Sequence, residues 1–208
     1  MQEFRRESAK RVFAQEFRES DLSFKESEDE YAPKYLLTPT AAKCNRVFVV
    51  GTLTDKEDIG MEAEYWRARV ADPTGVFLVY AGQFQAEATK ILEGLEDDID
   101  EPSIIAITGK PSTYETQDGD IITSIRPESI QVVDPKTRDS WIVDTAMQTM
   151  KRLKRMEEAE AGDDKEYKDI AQARKHYSTE AEYYKEMVSI ALKTLEDITT
   201  ETIDMSEI

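Results

Sequence analysis

A mainly β core carrying α-helical extensions is the fold class that three features of the sequence predict. Between residues 45 and 134 short β-rich runs alternate with turn residues, whereas the flanking segments space their apolar residues by three and four. A single helical run interrupts the strand pattern, after its third member. The strongest short-range hairpin signal in the chain, Asp118-Gly119, separates the last two strand runs.

Length and composition bound what such a chain can do. At about 150 residues per domain, 208 residues accommodate one domain with long extensions or two small ones. Cys44 is the only cysteine and His176 the only histidine, which excludes an intramolecular disulfide and a zinc site built within this chain from Cys and His. Most nucleophile–histidine catalysis goes with them. No run reaches the 18 or so consecutive apolar residues of a membrane helix, and MQEFRRESAKR lacks the apolar centre of a signal peptide, so a cytoplasmic location is expected. The net charge is −17, and residues 45–134 hold 7 basic against 18 acidic side chains, a net −11. Such a chain repels polyanions at long range and lacks a basic footprint on the scale of the whole molecule. Any contact with nucleic acid must be local or shared with a basic partner.

The elements follow in order. Phe4, Ala9, Val12, Phe13, Ala14 and Phe17 predict a short amphipathic helix over 4–17, ended by Ser20 and Asp21. LSFKESEDEYAPKYLLTPT has an acidic cluster, two prolines and no helical period, which predicts an extended arm to residue 44. A domain over 45–136 then opens with the strand NRVFVVGTLT. In EYWRARV, Trp66, Ala68 and Val70 alternate with Tyr65, Arg67 and Arg69, so one face enters a core and the other presents an aromatic ring and two guanidinium groups. ADPTG turns the chain into VFLVYAG, a third strand that is apolar on both faces. QAEATKILEGLE reads as a helix through Ala88, Ile91, Leu92 and Leu95, and SIIAITGKPSTYE and IITSIRPESIQVV complete five strands. Five strands in roughly 90 residues, with a helix between the third and the fourth, is the order of the OB-fold, a partly open Greek-key barrel.

The second and third strands of that barrel form a face suited to single-stranded nucleic acid. Tyr65, Arg67, Arg69 and Tyr80 would supply stacking and cation contacts there, at about 1–3 kcal/mol per stacked base. Aromatic and β-branched residues are also what half-buried strands ordinarily contain, so core packing stands beside this reading, and parity assigns Trp66 to the core. Lys110, Tyr114 and Arg126 lie where a nucleotide can also pass, although Glu115, Asp118 and Asp120 in the intervening loop repel phosphate.

After Asp134 the pattern is helical. Trp141, Ile142, Thr145, Ala146, Thr149, Met150 and Leu153 form one apolar stripe on a helix over about 138–159, within an oligomerisation segment placed at 137–160. The stripe needs a partner, either the chain's own barrel or a second subunit. Lys151, Arg152, Lys154 and Arg155 are a dipole-favourable helix end rather than a DNA site. AEAGDDKE reads as a linker with Gly162 as a stop, and residues 161–208 as a helical pair broken near Ser178, with a Thr179–Glu182 capping box and an acidic, frayed end. His176 is expected as a surface or capping residue.

The runs YLLTPTAAKCNRVFVVGTLTDKEDIG, EYWRARVADPTGVFLVYAGQF, GKPSTYETQDGD and IRPESI, with RESAKRVFAQEF before them, closely resemble the archaeal replication protein A family. Within that family they resemble the OB-fold subunit or associated protein that partners a larger single-stranded-DNA-binding subunit. The resemblance implies a hetero-oligomer with larger OB-fold subunits that protects single-stranded DNA in replication, repair and recombination, without enzyme activity or cofactor. It also implies that the helix after the barrel joins subunits. A terminal winged helix, common in middle subunits of that family, has no counterpart here. Two readings remain open: a barrel that contacts DNA itself, or one that only stabilises a complex; a free-standing adaptor that recruits other proteins is a third. No catalytic or metal-binding residue is assigned, although carboxylates are plentiful enough to chelate magnesium.

Overall fold

In a computed structural model that describes residues 7–29, 32–95, 102–159 and 167–201, with side chains to residue 195, the N-terminal segment is mostly extended. Lys10 bridges Val47 in parallel, its amide donating to Arg46 O (2.8 Å) and its carbonyl accepting from Phe48 N (2.9 Å). Only α1 (Ala14–Arg18) is helical, so the helix expected over 4–17 shrinks to little more than a turn. Val12, Phe13, Ala14 and Phe17 are fully buried. Their spacing reflects burial of an extended segment joined to a single turn, not one continuous helix face. The first amides of α1 are capped from elsewhere in the chain: Ala14 N donates to Asp72 Oδ2 (2.7 Å) and Gln15 N to Thr74 Oγ1 (3.1 Å).

The expected arm is itself a small antiparallel sheet of β1 (Leu22–Lys25), β2 (Lys34–Leu37) and β3 (Lys43–Cys44). Leu22 pairs with Leu37, and Leu36 with Cys44. The barrel follows: β4 (Val47–Asp58), β5 (Tyr65–Asp72), β6 (Gly75–Gly82), β7 (Ile104–Glu115) and β8 (Ile121–Val132), closed in the order β4-β5-β6-β8-β7. Closure depends on the long β4, which pairs β7 along its first half and β5 along its second, and on a parallel contact between Val79 of β6 and Ile125 of β8. The period-two pattern is obeyed: Ala68, Val70, Phe77, Val79 and Ala81 are buried inside. Gly119, at φ +88°, supplies the left-handed residue of the β7–β8 turn.

A 3₁₀ turn (Gln83–Gln85) leads from β6 into α2 (Ala86–Gly94), which buries Ala88 and Leu92 against the barrel. Lys56 Nζ donates to Leu92 O (2.8 Å) and Leu95 O, placing a cation at the negative end of that helix. Five strands closed into a barrel, one helix between β6 and β7 and further helices after β8 are an OB-fold with helical extensions.

Beyond the barrel lie α3 (Pro135–Glu158), α4 (Lys168–His176) and α5 (Ala181–Glu201). Asp134 caps α3, with Pro135 at its first position. Of the two partners open to the stripe, a second subunit or the chain itself, it is the chain's own core that covers it, so its buried residues are not free to form the subunit interface. Trp141, Ile142, Thr145, Ala146, Thr149 and Leu153 are buried, and of the seven residues only Met150 is exposed. Phe13 meets Trp141 edge to face at 5.7 Å, Trp141 Nε1 donates to Phe48 O (2.9 Å), and α5 brings Tyr184, Met187, Val188 and Ala191 into the same core. Helical periodicity reveals that a face is buried, not by what. The outward face of α3 presents Val143, Met147 and Met150.

The break near Ser178 is present, but the Thr179–Glu182 box is not. Thr179 Oγ1 donates to Pro39 O (2.9 Å), a tertiary contact that competes with capping. His176 Nε2 lies 2.7 Å from Asp21 Oδ1. The expected stop at Gly162 and the acidic end beyond Glu201 fall outside the described residues.

Candidate nucleic-acid interface

On the outer face of β5 and β6 the antiparallel register sets Tyr65 opposite Gly82 and Arg67 opposite Tyr80. The diagonal neighbours Tyr65 and Tyr80 are stacked, with centroids 5.9 Å apart and planes inclined by 17°. Gly82 makes room for this arrangement, because a Cβ there would lie 2.9 Å from Tyr65 Cδ2. Tyr65 is 44% exposed, so the stack presents an open ring edge and face to solvent. The loop before it is folded back by Asp58, whose carboxylate accepts from Tyr65 N and Gly60 N (both 3.0 Å); these amides hold the Asp58 carboxyl below its ordinary range.

The strands β7 and β8 complete the site from across the barrel closure. Tyr114, 65% exposed, pairs with Ile122, and two pairs further along Ser112 meets Ser124. Tyr65, Tyr80, Phe84, Tyr114, Ile122 and Arg126 thereby line one groove of about 830 Å³. A groove lined by four aromatic rings and a guanidinium can stack planar, anionic ligands, and Ser112, Thr113 and Ser124 in the same lining can accept or donate hydrogen bonds.

Of the seven candidates from the sequence, the structure gathers Tyr65, Tyr80, Tyr114 and Arg126 into this groove. Lys110 lies in an adjoining groove of about 520 Å³, which Arg126 also lines. Arg67 and Arg69 share the outer face of β5 with Tyr65 but line neither groove. Arg67 Nη2 donates to Glu57 Oε2 at 2.6 Å across the β4–β5 ladder, while Arg69 has no ion pair among the described residues. Trp66 turns inward, half-buried, with the Lys56 ammonium 5.4 Å above its ring.

Phe84 is the groove residue that sequence reasoning missed. It is 87% exposed in the turn after β6, and the available signal was an apolar side chain set between two glutamines directly after a strand-ending glycine, outside any period. Elsewhere, burial pushes the Cys44 thiol up to about 12, which makes it a packing residue rather than a nucleophile. Among the described residues no group of three or more His, Cys, Asp or Glu side chains is placed to hold a metal ion.

No protein-family model and no curated protein sequence matches the chain. Solved structures with a similar fold include OB-fold proteins that bind single-stranded DNA. One is from a replication protein A heterotrimer bound to ssDNA: TM-score 0.47, 11% identity, covering 70% of this chain and 98% of that one. Another is the second single-stranded-DNA-binding protein of Mycobacterium smegmatis, with TM-score 0.33 and 16% identity over 42% of this chain and 84% of that one. An OBody bound to hen egg-white lysozyme has TM-score 0.35 and 18% identity over 43% and 80%.

Proposed function

We propose that the chain is a non-catalytic subunit of an archaeal replication protein A complex that contacts single-stranded DNA through its barrel face and joins a larger OB-fold subunit. The observation that carries the DNA contact is the groove itself. Residues scattered from 65 to 126 in the sequence converge there as three tyrosines, a phenylalanine and an arginine that is unpaired among the described residues. Stacking on such rings is sequence-tolerant, because every base has a π-face, and Arg126 supplies a local cation within an otherwise acidic surface. Assembly draws on the outward row Val143, Met147 and Met150 of α3, spaced by four and three along one helix face. The quoted sequence runs supply the resemblance to the archaeal family.

Anisotropy of a labelled oligonucleotide, titrated at two salt concentrations with the chain alone and then with its larger partner, tests this reading. Tyr65→Ala and Tyr80→Ala should each weaken binding by about 1–3 kcal/mol, with melting temperature little changed because the rings lie on the outer face. Unchanged affinity in both variants, together with a stable monomer that ignores the larger subunit, would leave the adaptor reading in its place. That alternative is favoured by the Glu57–Arg67 pair, which ties up a cation on the very strand that would meet DNA.

A further inference from the structure

The smaller groove adjoins the aromatic one and is lined by Phe84, Gln85, Glu87, Lys110, Arg126 and Glu128 among others. Phe84, Gln85 and Arg126 belong to both, so Phe84 stands at the divide. A single exposed apolar side chain is ordinary on a protein surface and by itself means nothing. Its setting here is not ordinary. The turn that carries it is fixed by a Gly82 N to Gln85 Oε1 hydrogen bond of 3.1 Å, so the ring is held out between two concave surfaces rather than swinging on a loose loop.

The charges beyond Phe84 are the second observation. Lys110 and Arg126 are directly opposite each other across the β7–β8 ladder, and neither has an ion pair among the described residues. Like charges opposed in an antiparallel pair are destabilising. The carboxylate nearest in the ladder does not relieve them, because Arg46 Nε takes Glu128 Oε2 at 2.7 Å. With Glu128 neutralised in this way, Glu87 is the one carboxylate left on the groove's rim against two cations. The fold therefore keeps two facing cations uncompensated beside a projecting aromatic ring, an arrangement that an anion seated between them would stabilise.

We propose that the smaller groove is the continuation of the single-strand path, in which Lys110 and Arg126 straddle the phosphates while Phe84 stacks a base at the crossing between grooves. This rests on the single-strand reading above and extends it from one aromatic groove to a two-part track. The strand passes from stacked contacts on Tyr65, Tyr80 and Tyr114 to charge contacts some four residues along β7, about 13 Å at 3.3 Å per residue.

Oligothymidylates of increasing length, titrated by anisotropy against the full-length wild type, Phe84→Ala and Lys110→Ala over a range of salt, test the track. With Phe84→Ala, oligomers long enough to cross between the grooves should lose roughly 5- to 150-fold in affinity, the range one base–aromatic stack is worth. Lys110→Ala should lower the slope of log affinity against log salt by about 0.7, one phosphate contact on a single strand. Both side chains are exposed, so both variants should melt with the wild type. Wild-type protein that binds no oligomer overturns this proposal together with the reading beneath it. If the wild type binds and Tyr65→Ala weakens it, but either Phe84→Ala or Lys110→Ala is silent at every length and salt, the track alone falls.

Discussion

Arg67 is engaged before any ligand arrives. Its guanidinium reaches Glu57 at 2.6 Å, and both side chains are partly open to solvent. An exposed pair of this kind is worth little to the fold, typically under about 1 kcal/mol, so its larger effect is on what the strand can bind. Glu57→Gln keeps a hydrogen-bond acceptor of similar size and removes the competing charge. Its expected outcome is tighter binding of single-stranded DNA and a salt slope steeper by about 0.7, as Arg67 becomes free to meet a phosphate. Affinity and slope both unchanged would show that Arg67 never reaches the strand. Arg69, two residues along the same face and without such a partner among the described residues, gives the comparison: with no ion pair to release, the effect of Arg69→Ala on the slope should be the same in the Glu57→Gln background and in the wild type.

The first turns of α1 and α3 are each met by side-chain acceptors, distant ones in α1 and an adjacent one in α3. Asp134 caps α3 through Thr137 N at 2.7 Å, and Thr137 holds the Asp134 carboxyl below its ordinary value of 3.8. A carboxylate depressed in the folded state contributes stability above its unfolded value and loses it as pH falls through the folded one. Asp134→Ala should accordingly lower the melting temperature at neutral pH, and the deficit should shrink once the pH drops below the ordinary aspartate range; a deficit constant with pH would remove the cap as its cause. The start of α3 was legible only as a change of pattern after Asp134, with the helix expected from about residue 138 rather than 135, whereas the barrel strands were legible because a period of two is local. Capping of α1 by Asp72 and Thr74 was not legible, since those acceptors lie more than fifty residues away. The β1–β3 sheet was missed for a different reason: its strands are only two to four residues long, too short to show a period of two. Tyr65, Tyr80, Tyr114 and Arg126 could each be picked out one at a time as strand residues. Phe84 could not, because its exposure is decided by how the turn after β6 sits between two grooves.

The N-terminal segment, the barrel and the helices are held as one body by contacts that converge on α3 and on the α4–α5 junction. Tyr177 Oη, whose hydroxyl burial pushes up to about 12, accepts from Asp21 N (3.1 Å) and Leu22 N (2.9 Å) and donates to Leu37 O (2.7 Å), pinning β1 and β2 beneath the helices. Tyr183 and Tyr184 both donate to Glu19 at 2.7 Å, at the end of α1. The most buried link is polar. Glu16, with no exposed surface, receives Arg152 Nη2 at 2.9 Å and the Thr40 hydroxyl, while Arg152 Nε donates to Thr40 Oγ1 at 2.7 Å. Removing the guanidinium strands a carboxylate in the interior, which typically costs about 3–5 kcal/mol, a large share of the 5–15 kcal/mol that stabilises an ordinary domain. Arg152→Ala is therefore expected to lower the unfolding free energy read from a denaturant titration by that amount and, because the link joins α1, the β2–β3 loop and α3, to do so in a single transition seen identically by tryptophan fluorescence and far-ultraviolet dichroism. Replacing both partners at once, Glu16→Leu with Arg152→Met, exchanges the ion pair for apolar packing of similar volume and should recover most of the loss. A double variant as unstable as Arg152→Ala alone would mean that the directional hydrogen bonds to Thr40, and not the stranded charge, set the cost; two separate transitions would mean that the N-terminal segment and the barrel fold as independent units.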